Sequence, residues 1–202
     1  MKLTVVSAGL SVPSSTRLLA DRLAASVQAQ AAGPVEVRVV EVRELATEIA
    51  QNFTSGFPGK ALSDALDAVA SADGLIVVTP VFSASYSGLF KSFFDLIDKD
   101  ALTGKPVLLA ATGGSARHSL VLEHAMRPLF AYLRAMTVPT AVYAASEDWG
   151  AAGLDGRIER AAGELVGLTE GGLVNHVPAA AGTGDDFDVV PFEEQLAALQ
   201  AE

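Results

Sequence analysis

The chain has no cysteine at all. It therefore has no disulfide framework, no thiolate nucleophile and no cysteine-based zinc site. A disulfide-free chain fits a reducing compartment, and the cytoplasm is the expected location. Histidine is scarce as well: His118, His124 and His176 are the only three. No two of them stand four residues apart, so no helical histidine pair is expected to hold a metal. Positive charge is in short supply, with 14 lysines and arginines against 24 acidic residues and a net charge of -10. That balance argues against a nucleic-acid surface. It also means that an anionic ligand has to be captured locally, by backbone N–H groups, hydroxyls and a helix end. Long apolar runs are missing too. Leu75–Val78 and Val107–Ala111 are typical, and both fall far below the roughly 20 residues of a membrane span. The opening MKLTVVSAGL resembles a signal peptide only faintly, because Thr4, Ser7 and Gly9 interrupt it and no small-residue cleavage site follows. It reads as a first buried strand.

Two phosphate-binding signatures are absent. No G-x-x-x-x-G-K-[ST] occurs, which disfavours a nucleoside triphosphatase, and no G-x-G-x-x-G opens the first helix, which disfavours a Rossmann dinucleotide site.

What remains is a chain of 202 residues, half of them hydrophobic. That is enough for one domain with a sizeable core. Apolar runs and helical spacing alternate along it. Strands are expected at Leu3–Ser7, Val35–Val42, Gly74–Thr79, Lys105–Thr112 and Pro139–Ala145. Val35–Val42 alternates and belongs near a sheet edge, whereas Gly74–Thr79 is almost wholly apolar, as a strand covered on both faces should be. Helices are expected at Ser15–Gln30, Leu62–Ala70 with Ser63 as a cap, Ser87–Asp98, His118–Arg134 with a break at Pro128, and Leu154–Leu168. A loop is expected around Asn52–Lys60. Residues 1–172 form the domain, and 173–202 add a tail of the same domain with a short helix at Pro191–Gln200. Asp185–Asp188 imitates a cation site but reads as solvated tail. No repeat or heptad series is present. Five strands alternating with helices imply a parallel sheet. Six-stranded dinucleotide and five-stranded flavodoxin-like architectures are both doubly wound, and the strand count favours the second: α/β, order 2-1-3-4-5, helices on both faces.

That order brings three loops to one rim, where ligands of such sheets bind. The first, SAGLSVPSST, crowds Ser11, Ser14, Ser15 and Thr16 into the start of the first helix. Hydroxyls, free N–H groups and the helix dipole there suit a phosphate, with Arg17 available if it turns back. Helix capping alone would need one such residue. The second, PVFSASYS, puts Pro80, Val81, Phe82 and Ser83 on the rim; Phe82 either edges a flat ring or belongs to the core. In the third, TGGSARHS, Gly113 and Gly114 either admit a ligand close to the backbone or merely permit a turn. His118 ends that loop and either touches the ligand or begins a helix. Phe90, Phe93, Phe94 and Ile97 form an apolar stripe, core by default. Together, one phosphate nest and two ring-edging loops describe a flavin mononucleotide site.

GLSVPSSTRLLADRL, VVTPVFSASYSGLFKSFFD and LLAATGGSARHSL resemble the NADPH-dependent FMN reductase family, and most of all its actinobacterial-type branch that partners luciferase-like monooxygenases. The resemblance runs from about Met1 to Trp149, and DFDVVPFEEQL in the tail also looks like that branch. The piece TPVFSASYSGLFKSFFD matches the family pattern T-P-x-[YF]-x-x-[ST]-[YF]-[ST]-G most specifically. The resemblance implies a flavodoxin-like fold, FMN binding and an NAD(P)H:FMN oxidoreductase. It also implies a homodimer or homotetramer, with part of the phenylalanine stripe at the interface, and reduced FMN supplied to a flavin-dependent monooxygenase. By motif, Ser7, Ser11, Ser14, Ser15 and Thr16 would hold the phosphate. Pro80, Val81, Phe82 and Ser83 would edge the ribityl chain and ring, and Thr112, Gly113 and Gly114 would close over the ring, with His118 beside it. No acid, base or nucleophile is implied, because the two cofactors carry the hydride chemistry. The family often has G-S-x-R in the first loop, whereas Gly9, Leu10 and Ser11 stand here, so hydroxyls and backbone replace an arginine. A flavodoxin-like electron carrier, or a quinone, azo or metal-ion reductase on the same fold, are the alternatives.

Overall fold

The structure, a computed structural model, describes residues 1–151 and 153–171. The expected helix Pro191–Gln200, the acidic Asp185–Asp188 and His176 lie outside them.

Among the described residues, seven strands, β1 (Lys2–Ser7), β2 (Glu36–Glu41), β3 (Gly74–Phe82), β4 (Ser85–Tyr86), β5 (Pro106–Gly113), β6 (Met136–Thr137) and β7 (Val142–Ala145), make one sheet. Its backbone is parallel, in the order β2-β1-β3-β5, with β6 and β7 both on the outer edge of β5. Counting β6 and β7 as one interrupted fifth strand gives the expected 2-1-3-4-5 order. The interruption has a local cause. Pro139 has no N–H to donate, and Thr140 turns its N–H and hydroxyl onto the Glu164 carboxylate, both at 2.7 Å. The remaining extra strand, β4, folds back antiparallel on the end of β3.

Among the described residues, six α-helices flank the sheet: α1 (Ser15–Gln30), α2 (Ala46–Ser55), α3 (Lys60–Ala70), α4 (Gly88–Phe94), α5 (Arg127–Tyr132) and α6 (Gly153–Glu170). The central strands bury both faces, so neighbouring residues enter opposite cores. Leu75 and Val77 of β3 face α2–α5, and Ile76 and Val78 face α1 and α6. Val107 and Leu109 of β5 alternate with Leu108 and Ala110 in the same way.

Three expectations need correction. The segment left as loop around Asn52–Lys60 is largely α2, which stops at Gly56 (φ 76°). Ile49 is its only fully buried residue, so it carries almost no apolar periodicity. Ser63 does not cap α3; that helix begins at Lys60, and the Glu48 carboxylate accepts from Leu62 N–H at 2.9 Å. The expected helix His118–Arg134 is three pieces: a 3-10 turn at Ala116–His118, a π-helical turn at Leu122–Met126 and then α5. Pro128 cannot donate to the carbonyl four residues back, and the wider turn before it, with Arg127 N–H bonded to Leu122 O, absorbs the defect. The stripe Phe90, Phe93, Phe94 and Ile97 is core, as its default reading has it. Phe94 packs against Phe90 (tilted) and Phe130 (edge-on) at 4.7 and 5.0 Å between ring centroids, leaving no stripe for an interface.

Candidate functional site

The parallel strands end along one rim, at Ser7, Phe82, Gly113 and Ala145. Four loops leave from there, and each is fastened by short-range bonds. In the first, Ser14 caps α1, its Oγ accepting from Arg17 N–H at 3.2 Å. Leu18 N–H reaches Ser14 O at 3.0 Å. The Ser15 and Thr16 N–H groups have no acceptor among the described residues. The helix has no acidic residue in its first turn, so nothing of its own neutralises that end. Ser14 is thus the cap, and Ser11, Ser15 and two amides are surplus to capping.

In the second loop, Thr79 Oγ1 donates to Pro80 O and accepts from Ser87 N–H, both at 3.0 Å. Ser87 in turn caps α4, accepting from Phe90 N–H at 3.1 Å. In the third, the Tyr143 hydroxyl donates to Ser115 O at 2.9 Å. Burial, with Glu147 and Asp148 nearby, raises the pKa of Tyr143, so the phenol stays protonated and keeps donating. The fourth loop, Ser146–Gly150, is held by Asp148, which accepts from Ala145 N–H at 2.8 Å and pairs with Arg157 at 3.0 Å.

Between these loops lies a cleft of about 380 Å³. Its floor is a hydrogen bond across the fold: Thr16 Oγ1 and Thr112 Oγ1 are 2.8 Å apart and both residues are buried. Ser11, Ser14, Ser15 and Thr16 line one end, Pro80, Val81 and Phe82 one wall, and Thr112, Gly113 and Gly114 the other. Phe82 is 46% exposed, which settles it as rim rather than core. Among the described residues no acidic side chain lines the cleft.

Three residues expected here lie elsewhere. Ser7 is wholly buried beneath the first loop, with no partner for its Oγ. Ser83 occupies the exposed tip of the β3–β4 turn, and His118 lines a neighbouring cavity. Arg17 does not turn back toward the cleft either. Its guanidinium binds Asp21 at 2.7 Å and pairs with Glu41. Two lining residues were not anticipated, Leu10 and Ser146. Ser146 follows β7 directly, and extending the rim argument to the fifth strand would have found it. A larger groove, about 550 Å³, runs between α1 and α6. It is lined by helix surfaces, with the Arg22–Asp155 ion pair among them, and by none of the rim loops.

Residues 1–150 match the family model described as NADPH-dependent FMN reductase. An FMN reductase (NADPH) of Pseudomonas aeruginosa is 43% identical over 148 residues, covering 73% of this chain and 78% of its own length. An NADH-dependent FMN reductase, SfnF, of Pseudomonas putida is 42% identical over 147 residues, 73% of this chain and 78% of that protein. Among solved structures, an oxidoreductase from Corynebacterium diphtheriae superposes with a TM-score of 0.82 at 49% identity, covering 84% of this chain and 97% of that one.

Proposed function

The chain belongs to the NADPH-dependent FMN reductase family, and from that premise we propose that the rim cleft is where it binds FMN and reduces it with a nicotinamide nucleotide. When bound there, the flavin supplies N5 as the acceptor of a hydride from C4 of the nicotinamide. The protein's part is to bind, orient and exclude water.

One observation carries the reading: the end of α1 offers more donors than capping uses. The Ser15 and Thr16 amides are without acceptors, and the Ser11 and Ser15 hydroxyls stand beside them at the cleft. Neutral donors on a helix N-terminus, with no carboxylate in the lining, fit a dianionic phosphate. Phe82 and the Gly113–Gly114 backbone fit the edge and face of a flat ring. The Thr16–Thr112 bond ties the phosphate end to the ring end.

Arg17 is held by Asp21 and Glu41, and Arg43, which reaches Ser11 O at 3.4 Å, is held by Glu41 and Glu44, so no basic side chain lines the cleft among the described residues and the phosphate would be held by neutral donors. That supports FMN as an exchanging substrate; a flavin-dependent monooxygenase as the recipient of reduced FMN rests on the family resemblance. The absence of cysteine supports a cytoplasmic setting, and among the described residues no helix is long and apolar enough to cross a membrane. A homodimer or homotetramer rests on the family resemblance alone, and light scattering would measure it.

The test compares FMN with riboflavin by fluorescence quenching. FMN should bind at least tenfold more tightly, as expected of one or more hydrogen bonds to a charged group at roughly 1.5–3 kcal/mol each. Equal affinities would remove the phosphate from the first loop.

A further inference from the structure

A second cavity, of about 320 Å³, adjoins the cleft. Arg117, His118 and His124 line it together with Ala84, Leu120 and Val121. The same two loops wall both spaces. Phe82 faces the cleft and Ala84 the second cavity, across one tight turn. Gly113 and Gly114 line the cleft, and Arg117 and His118, just beyond them, line its neighbour.

The chemistry of this cavity runs against that of the whole chain. The net charge is -10, yet among the described residues no carboxylate lines this space. Two acidic groups flank this stretch of chain, Glu123 beside His124 and Glu147 against Ala116, and both are engaged. Glu123 holds Arg127 with both oxygens, at 2.6 and 2.9 Å. Glu147 accepts from Ala116 N–H at 3.3 Å. Arg17, Arg127 and Arg157 are each ion-paired, whereas Arg117 has no carboxylate partner among the described residues. A guanidinium presents a planar fork that matches phosphate oxygens, and imidazole N–H groups add further donors.

Resting on the FMN reductase reading, we propose that Arg117, His118 and His124 form an anion subsite that receives the phosphate-bearing part of the nicotinamide nucleotide while its nicotinamide lies in the adjoining cleft. The wall between the two spaces is held in an uncommon conformation. Ser83 and Ala84 have φ of 49° and 66° without being glycine, as a two-residue hairpin turn with both central residues left-handed requires. Such strain persists where the surroundings enforce it. Here it sets Phe82 and Ala84 against the two cavities from one turn.

The experiment uses the full chain, Arg117→Gln and His124→Gln. Calorimetry with 2′,5′-ADP, which needs no flavin, reads the subsite directly. Steady-state kinetics gives KM for NADPH and for NADH, and fluorescence quenching gives the FMN Kd. Each variant should lose about tenfold or more in 2′,5′-ADP affinity and gain as much in nucleotide KM, the worth of one charge-assisted hydrogen bond. The FMN Kd and kcat should hold. A KM rise for NADPH alone assigns the subsite to the 2′-phosphate; equal rises for both nucleotides assign it to the bridging diphosphate. Unchanged KM for both nucleotides in folded variants, with 2′,5′-ADP affinity unchanged or absent, overturns the proposal. So does a rise in FMN Kd with KM unmoved, which would give the cavity to the flavin. A parent chain that binds 2′,5′-ADP through Arg117 but oxidises neither nucleotide with FMN fails the reductase reading and leaves the anion subsite standing.

Discussion

Gly113 and Tyr143 compete for the same space. A Cβ built on Gly113 would overlap the Tyr143 hydroxyl, with Cζ 3.1 Å away. The glycine therefore serves the protein side of the third loop, letting the phenol pass beneath it to reach Ser115 O. Gly113→Ala should destabilise the fold by about 1–3 kcal/mol, as overpacking does, and lower Tm by several degrees. Removing the hydroxyl should restore part of that loss, so Gly113→Ala/Tyr143→Phe should melt above Gly113→Ala. A double variant no more stable than the single one would show that the overlap is not the cause. Gly9 obeys the same rule, since its Cβ would overlap Ser14 Oγ, the cap of α1. In both loops a glycine makes room for a side chain that fixes the rim.

At the scale of elements, two features carry measurable consequences. The first is the β3–β4 turn. A non-glycine residue in the left-handed region costs roughly 1–2 kcal/mol, so Ala84→Gly should raise the unfolding free energy by about 1 kcal/mol after the entropy of glycine is subtracted. A lower midpoint in denaturant for Ala84→Gly would contradict the strain. The second is the C-terminus of α3. Lys105 is 7% exposed, and its Nζ donates to Val69 O and Ala70 O at 2.8 and 2.6 Å. It thereby satisfies carbonyls that the helix leaves open. Burial lowers its pKa to about 8, with Asp73 opposing. A folded-state pKa below the unfolded one means that the unfolded chain binds more protons between pH 8 and about 10.5. The contribution of Lys105 to stability should therefore increase as pH rises through that window. The parent should gain stability relative to Lys105→Met from pH 8 to 10.5, measured by urea denaturation at each pH. A constant difference would mean that burial of the ammonium costs nothing.

For the whole molecule the deciding quantity is charge. A chain of net charge -10 repels FMN at long range. The cleft adds only dipoles and hydroxyls at short range, because Arg17 is spent on Asp21 and Glu41. Salt screens the repulsion over a Debye length of about 8–10 Å and leaves the short-range bonds nearly intact. The association rate of FMN, followed by stopped-flow fluorescence, should therefore rise between low and physiological ionic strength. A rate that falls with salt would signal electrostatic steering toward the cleft and contradict the picture of a charge-poor phosphate site.

Much of this architecture is written in local pattern. β1, β3 and β5 were legible because strands covered on both faces must be continuously apolar. α1 was legible because Leu19, Leu23 and Val27 repeat along one buried face. The strand order then placed three hydroxyl- and glycine-rich loops on one rim. α2 was not legible, since a helix that buries only Ile49 leaves little periodic trace. The split of β6 from β7 depends on Glu164, far along the chain. What tertiary structure alone decided is which way side chains turn when their partners are remote in sequence. Arg17 turns to Glu41 instead of the cleft, Tyr143 fills the space a Gly113 side chain would need, the phenylalanine stripe closes on Phe130, and Arg117, His118 and His124 line one cavity. Periodicity and turn chemistry act between near neighbours and can be read along the chain, whereas ion pairing and packing are settled between residues that only the finished fold brings together.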